Sequence, residues 1–410
     1  MLSYVNLILF VFLIWLMIEL GIHYLVLYLR QDFQWLVMSK DELPTLNKKA
    51  LKKFINRSYD SELGWTRRPN SQGTESTGSI GSISSNYKQV SYRINDIGAR
   101  ENPGHEHLPA VISTYGDSFV FSRQVYDDET WQWNLSKLTQ TNVLNFGVGN
   151  FGLDQSFLRL QREYDNNLTK LVIMGVVPET IVRVLGVWRH YYEHGNTFAF
   201  KPRYVPSSNG LRLIPNLIDK PTKFLDLHKY IGEIRTNDYF YHRKFKRNML
   251  SFPYGLSFIR RPQRHFSLIY ALLLDKLYSA MGQSSSRAWE LILRDNQQYC
   301  VSLYNDIEVV ELLSLIVQEF VKFANQKGFT PIFLLMPYRT DLEYFRTYGT
   351  SYYAEFLKNI SDVVETIDLT EKLLYTTETI YTNDYYGGHL NALGNQIVAT
   401  ELNNLLRQYL

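Results

Sequence analysis

Apolar side chains fill nearly every position from Leu7 to Leu29 (LILFVFLIWLMIELGIHYLVLYL), broken only by Glu19, Gly21 and His23. About 20 such residues span a bilayer as a helix. The run is too long for the core of a secretory signal, has no basic residue before it and no small-residue cleavage site after it, so it reads as a retained transmembrane anchor. Glu19 and His23 lie four apart, on one helical face, where they pair with each other or sit near an interface. A polar, lysine-bearing stretch follows to Arg57, then a short extended element with turn residues from Asp60 to Pro69. Asn70 to Ser85 (NSQGTESTGSIGSISS) is rich in Gly and Ser and predicts a flexible surface loop. Val90 to Ile97 alternates like a strand, and Gly98 to Pro109 is rich in turn residues.

From Ala110 the pattern changes to short continuous apolar runs separated by helical periodicity. Val111–Tyr115, Asn142–Phe146, Leu171–Val177, Ile332–Met336 and Val363–Ile367 read as strands. Asp154 is placed to cap a helix carrying Phe157, Leu158 and Leu160. Ile307 to Lys327 repeats apolar residues at helical spacing and stops at Gly328, and Ala392–Tyr409 reads as a closing helix. Strands apolar throughout, alternating with amphipathic helices, predict an α/β fold: a three-layer α/β/α sandwich around a mostly parallel sheet. The predicted organisation is an anchor over 1–30, a juxtamembrane and accessory extended segment over 31–109, a first core part over 110–200, a helical or irregular insertion over 201–304 and a second core part over 305–410. In such sheets ligands bind at the carboxyl ends of the strands. Ser118, the Gly147–Gly152 loop and Pro178–Thr180 all fall at that edge.

Composition narrows the function. At 410 residues the chain can bury a substantial core, and a net charge of +3 is too small to imply a nucleic-acid partner for the whole. One cysteine, Cys300, excludes a disulfide within the chain and any Cys-rich metal site, and reads as a buried, inert thiol. His105 and His107 have no local partner set, so neither metal nor cofactor is expected. Between Lys229 and Arg264 nine Lys/Arg face two acids, interleaved with Tyr239, Phe240, Tyr241, Phe245, Phe252, Tyr254 and Phe258. No nucleic-acid-binding signature accompanies this patch. A solvated face, a surface for anionic lipid headgroups and a site for an acidic glycan remain open for it. Arg30, Lys40, Lys48, Lys49, Lys52 and Lys53 all follow the anchor, and by the positive-inside tendency they place the large domain in the cytoplasm.

The candidate chemistry lies at two turns. Gly116-Asp117-Ser118-Phe119 ends the first strand, and Gly387-Gly388-His389-Leu390-Asn391 precedes the last helix. A serine hydroxyl is a weak nucleophile until a base takes its proton, and imidazole is the side chain whose chemistry suits that near neutral pH. With Asn145-Phe-Gly-Val-Gly-Asn-Phe-Gly-Leu-Asp-Gln155 between them, these motifs resemble the SGNH (GDSL-like) hydrolase superfamily over Ala110–Arg203 and Phe329–Leu410. Within it the chain is similar to membrane-anchored members associated with bacterial surface polysaccharides, including relatives of the alginate O-acetylation proteins.

The resemblance implies a flavodoxin-like sheet, Ser118 as nucleophile and His389 as general base. The family's acid stands three residues before the histidine, where this chain has Tyr386. Asp384 or a backbone carbonyl is left to orient the imidazole. Backbone N–H groups of Ser118 and the Gly149-Asn150 loop match the expected oxyanion donors. The family's third donor, an asparagine, is replaced within Gly175-Val-Val-Pro-Glu-Thr180, leaving Thr180 or Asn150 for that place. Arg183 and Arg189 are candidate rim residues for carboxylate or pyruvate groups of a sugar, with surface ion pairing as the alternative. The expected function is a serine esterase or O-acyltransferase, foremost for acetyl, acting on a glycan or other large substrate. The alternative is a catalytically degenerate member that binds polysaccharide or scaffolds a membrane assembly. The resemblance implies a domain outside the cytoplasm, against the basic flank.

Overall fold

The computed structural model describes residues 2–38, 42–76, 89–208, 210–376, 380–382 and 388–409. The elements used below are α1 (Leu2–Arg30), β1 (Ala110–Gly116), α2 (Trp131–Thr139), β2 (Asn142–Gly147), α3 (Leu153–Glu163), β3 (Leu171–Val176), α4 (Tyr254–Arg260), α5 (Pro262–Ala280), α6 (Arg287–Leu303), α7 (Ile307–Lys327), β4 (Thr330–Leu335), β5 (Glu365–Asp368) and α8 (Ala392–Leu406). The chain divides into two compact units: residues 1–47, 188–199 and 228–298, and residues 48–187, 200–227 and 299–410.

The second unit is built on a five-stranded sheet in the order β5-β4-β3-β1-β2, every neighbouring pair parallel. All six residues of β3 are buried, as a strand covered on both faces requires. Ile112, Val143, Ile173 and Leu334 share one core with Trp131 and Leu135 of α2 and Val398 and Leu402 of α8. On α3, Phe157 meets Phe320 and Phe323 of α7. The fold is therefore the expected α/β one, its mostly parallel sheet flanked by helices. Each predicted strand of the sheet lies within two residues of the observed one. α7 starts where Asp306 accepts a hydrogen bond from Val309 N–H and stops where Gly328 takes φ +78°, a conformation open to glycine.

Two expectations are corrected. Ser71–Ser76, read as loop, is a strand paired antiparallel with Gln89–Ile94, and residues 77–88 lie outside the described ones. Ladder bonds come from the backbone whatever the side chains, and Glu75 ties the strand down by pairing with Arg67 and Arg123. Asp154 does not cap α3. Gly152 does, and Asp154 turns inward in the first helical turn to meet Lys201 Nζ at 2.5 Å, both fully buried. Residues 48–109 join the sheet's unit because Arg100 N–H bonds Asn145 O, while its guanidinium meets Asp127 and the carbonyls of Phe121, Ser122 and Val125. Residues 200–227 join it too, with Lys201.

In the first unit, Val26 and Leu29 of α1 share a core with Tyr254 and Phe258 of α4 and Leu268, Ile269 and Leu272 of α5. α1 is long and apolar enough to cross a membrane from Tyr4 to Arg30. Glu19 and His23 do not pair with each other. The Glu19 carboxylate accepts the backbone N–H groups of Tyr254 and Gly255, and His23 Nδ1 lies 2.6 Å from Tyr254 Oη. The basic-aromatic stretch separates by burial: Phe240, Tyr241, Phe245, Tyr254 and Phe258 are core, while Arg243, Lys246, Arg247 and Arg260 are exposed.

Lys244 is the exception among those cations. It is buried with Nζ on Tyr192 O at 2.9 Å, and burial, reinforced by the nearby Arg264, pulls its pKa from 10.5 to about 7. The unfolded chain keeps that proton up to the ordinary value, so between about 7 and 10.5 it binds more protons than the fold and stability rises with pH. In detergent micelles the full-length protein is expected to melt higher at pH 9 than at pH 7 through this group. Lys244→Met should remove that part of the rise and raise the melt at pH 7; an unchanged pH slope in the variant would show that the lysine does not carry it.

Candidate active site

β1 delivers the serine through contacts that no bulkier residue would allow. A Cβ on Gly116 would lie 2.1 Å from Gly175 O, and one on Gly147 would lie 2.2 Å from Phe121 N, so β1 and β2 press against their neighbours with bare backbone. The chain then turns tightly, with Phe121 N–H on Asp117 O at 2.9 Å. Asp117 fixes the turn: Oδ1 accepts Phe119 N–H at 2.8 Å, and Oδ2 accepts Val177 N–H at 3.1 Å and Arg183 Nη1 at 3.0 Å. The carboxylate thus ties the residue beside Ser118 to the end of β3.

Ser118 Oγ lies 2.9 Å from His389 Nε2, across 271 residues of chain, and both side chains are buried. The histidine is held from both sides. Thr382 N–H donates to His389 O at 2.7 Å, His389 N–H donates to Thr382 Oγ1 at 3.0 Å, and Tyr381 bridges Leu390. Asn391 caps α8, and Asn395 accepts Trp131 N–H while donating to Leu390 O. The Phe119 ring lies 5.2 Å from the imidazole and 4.9 Å from Tyr338. With Nε2 facing a hydroxyl, a neutral imidazole protonated on Nδ1 can take the serine proton. Asp384 lies outside the described residues.

Among the described residues, the backbone N–H groups of Ser118 and Gly149 donate to no protein acceptor. A Cβ on Gly149 would meet nothing within 4 Å, so that side of the loop is open. Its carbonyl is occupied, accepting Trp65 Nε1 at 3.0 Å. Asn150 beside it is exposed, in a left-handed conformation at φ +68°. The arrangement offers a hydroxyl, a base in contact with it and two unspent amide donors at adjoining strand ends.

The other candidates take different places. Thr180 is buried, and its hydroxyl accepts Leu153 N–H at 2.9 Å, holding the start of α3 to the loop after β3. Arg183 is not a rim residue. Its guanidinium is buried and shared among Asp117, Glu179, Tyr338 Oη and Phe151 O, because a cation at that depth persists only with partners. Arg189 lies in the other unit, also buried, and pairs with Glu193 at 2.7 Å. Cys300 is buried, and burial pushes its thiol up, away from the reactive thiolate. Sequence reasoning missed the structural part played by Asp117, although it stands inside Gly-Asp-Ser, and those of Tyr338, Thr382 and Asn395, whose partners are distant in the chain.

No protein-family model matches the chain, and no curated protein does. Solved structures similar to it include a lipolytic protein of the G-D-S-L family from Desulfitobacterium hafniense, at 11% identity and TM-score 0.32, covering 72% of this chain and 99% of that one. An acetyl xylan esterase aligns at 10% identity and TM-score 0.35, over 72% of this chain and 98% of its own. Another, from the rumen bacterium Butyrivibrio proteoclasticus, aligns at 8% and 0.29, over 79% and 66%. Likeness of that degree assigns no activity.

Two substitutions test the frame around the serine. Asp117→Asn leaves Arg183 buried without one of its carboxylates and sets an amide against two N–H donors. It is expected to cost on the order of 3 kcal/mol in denaturant unfolding; a variant as stable as the parent would show that the pair does not hold the turn. Thr180→Val deprives Leu153 N–H of its acceptor and should cost about 1–3 kcal/mol. A loss of turnover at unchanged stability would place that hydroxyl at the substrate instead.

Proposed function

We propose that the protein is a serine esterase or O-acyltransferase, foremost for acetyl groups, acting on a glycan or other large acyl-ester substrate through an acyl-serine at Ser118. The observation that carries this reading is the buried 2.9 Å contact between Ser118 Oγ and His389 Nε2. In the first step Oγ attacks the ester carbonyl carbon while Nε2 takes its proton. The carbonyl oxygen becomes an oxyanion held by the amides of Ser118 and Gly149, with Asn150 in the same loop. Collapse breaks the bond to the leaving alcohol, which receives the proton from His389. Water or an acceptor hydroxyl then gives its proton to His389, attacks the acyl-serine, and the serine leaves with the proton returned. Hydrolysis and transfer differ only in that second nucleophile. Positioned proton transfer contributes about 10²–10⁴-fold, and each oxyanion donor about 10²–10³-fold.

Asp384 is the acid assigned to orient His389, and α1 is assigned as an anchor in lipid. No nucleic acid and no cofactor enter this reading. A second reading, a non-catalytic polysaccharide-binding or scaffold protein, draws support from Thr180. The hydroxyl standing where the family pattern supplies its third donor is engaged with Leu153 N–H.

The test is labelling of the full-length protein with a fluorophosphonate probe, together with release of a chromogenic acetyl ester. Ser118→Ala and His389→Ala are each expected to abolish ester release with little change in the melt. Asp384→Asn should lower turnover less, since backbone contacts still hold the histidine. Absence of probe labelling, or equal turnover in parent and Ser118→Ala, would remove the catalytic reading and favour the binding one.

A further inference from the structure

Within the anchor-bearing unit, the exposed face of α4 and α5 is apolar. Leu256 and Ile259 of α4 are exposed, with Phe252 just before the helix, and Phe266, Tyr270, Leu273 and Leu277 of α5 repeat as one helical stripe. Ile259 is 74% exposed, Phe266 62% and Tyr270 65%, more than scattered surface apolars on a water-facing helix pair would explain. Arg243, Lys246 and Arg247, all exposed, precede the stripe in sequence, and Arg260 interrupts it between Ile259 and Phe266.

What this face meets follows from its position along α1. Phe252 packs on Trp15, with ring centroids 5.8 Å apart, and Tyr254 and Gly255 bond Glu19. A span takes about 20 residues, and every such window between Tyr4 and Arg30 contains Trp15, Glu19 and His23. The start of α4 therefore stands beside α1 within the apolar span. α5 then reaches the C-terminal end of α1, where Lys276 pairs with Asp32, just past Arg30, and its Nζ lies 4.0 Å over the Tyr28 ring. Backbone N–H groups at apolar depth require partners inside the protein. Glu19 supplies them to the first amides of α4. Gly255 permits it, since a Cβ there would sit 2.9 Å from Glu19 Oε1.

We infer that α4 and α5 form a second membrane-embedded element beside the anchor, with the Phe252–Leu277 stripe against lipid acyl chains and the flanking arginines and lysine at anionic headgroups. The inference rests on the reading of α1 as a spanning helix. The partner is the bilayer itself: the stripe continues the apolar surface of α1, and its basic flank complements acidic lipid.

The test uses the full chain in a Cys300→Ser background, reconstituted in phosphatidylcholine vesicles containing phosphatidylglycerol. Single nitroxide labels go at Leu13, Ile259, Tyr270 and, as an aqueous control in the other unit, Ile307. All four positions are exposed, so the label disturbs no core. Labels at Ile259 and Tyr270 are expected to be mobile, relaxed by oxygen and protected from a water-soluble nickel chelate, as at Leu13 and unlike Ile307. Nickel access at both, with Leu13 protected, would overturn the second element and leave the anchor standing. An aqueous Leu13 would overturn the anchor reading, and this inference with it. Rigid labels shielded from oxygen and nickel alike would place the stripe against a second copy of the chain, and would overturn the lipid assignment.

Discussion

The serine turn depends on the buried carboxylate of Asp117. Its partners come from three directions: its own turn through Phe119 N–H, the end of β3 through Val177 N–H, and Arg183. Arg183 carries the connection further, to Phe151 after β2, Glu179 after β3 and Tyr338 after β4. One ion pair thus joins the loops at four neighbouring strand ends. An isolated charge at that depth is costly, and a pair recovers the cost only with good geometry and further hydrogen bonds. Those further bonds are what set the loop positions. The energy spent on burying the charges reappears as a fixed address for Ser118 Oγ.

The same logic separates what was legible in the chain from what was not. The strands and α7 could be read because burial of a strand on both faces, or of one helical stripe, imposes a local period on the sequence. Gly328 could be read because a left-handed terminus narrows the choice of residue. Ser118 and His389 were legible as separate turns, each with its own glycines and flanking element. Asp154 and Arg183 were misread because their partners decide their direction. Asp154 has the composition of a helix cap, yet Lys201, 47 residues on, draws it inside. Arg183 has the composition of a rim arginine, yet Asp117, 66 residues earlier, holds it buried. Nothing local marks either pairing. The strand at Ser71–Ser76 was hidden for another reason: its ladder uses backbone groups that every residue carries, so a Gly/Ser-rich composition did not prevent it.

Glu19 and His23 show that distant pairing also governs the unit that carries α1. As a sequence, α1 is an apolar rod with two polar defects, and defects of that kind are expensive at membrane depth unless satisfied within the protein. Glu19 is satisfied by two amides of α4, and His23 by the hydroxyl of Tyr254. Removing the carboxylate would strand those amides; removing α4 would strand the carboxylate. Neither element is complete without the other. A helix serving only as a tether needs no such residues, because plain apolar side chains hold lipid better. Two polar groups within α1, each matched to residue 254 or 255, make it a structural member of its unit. The core that Val26 and Leu29 share with α4 and α5 extends the same contact toward the end of the helix.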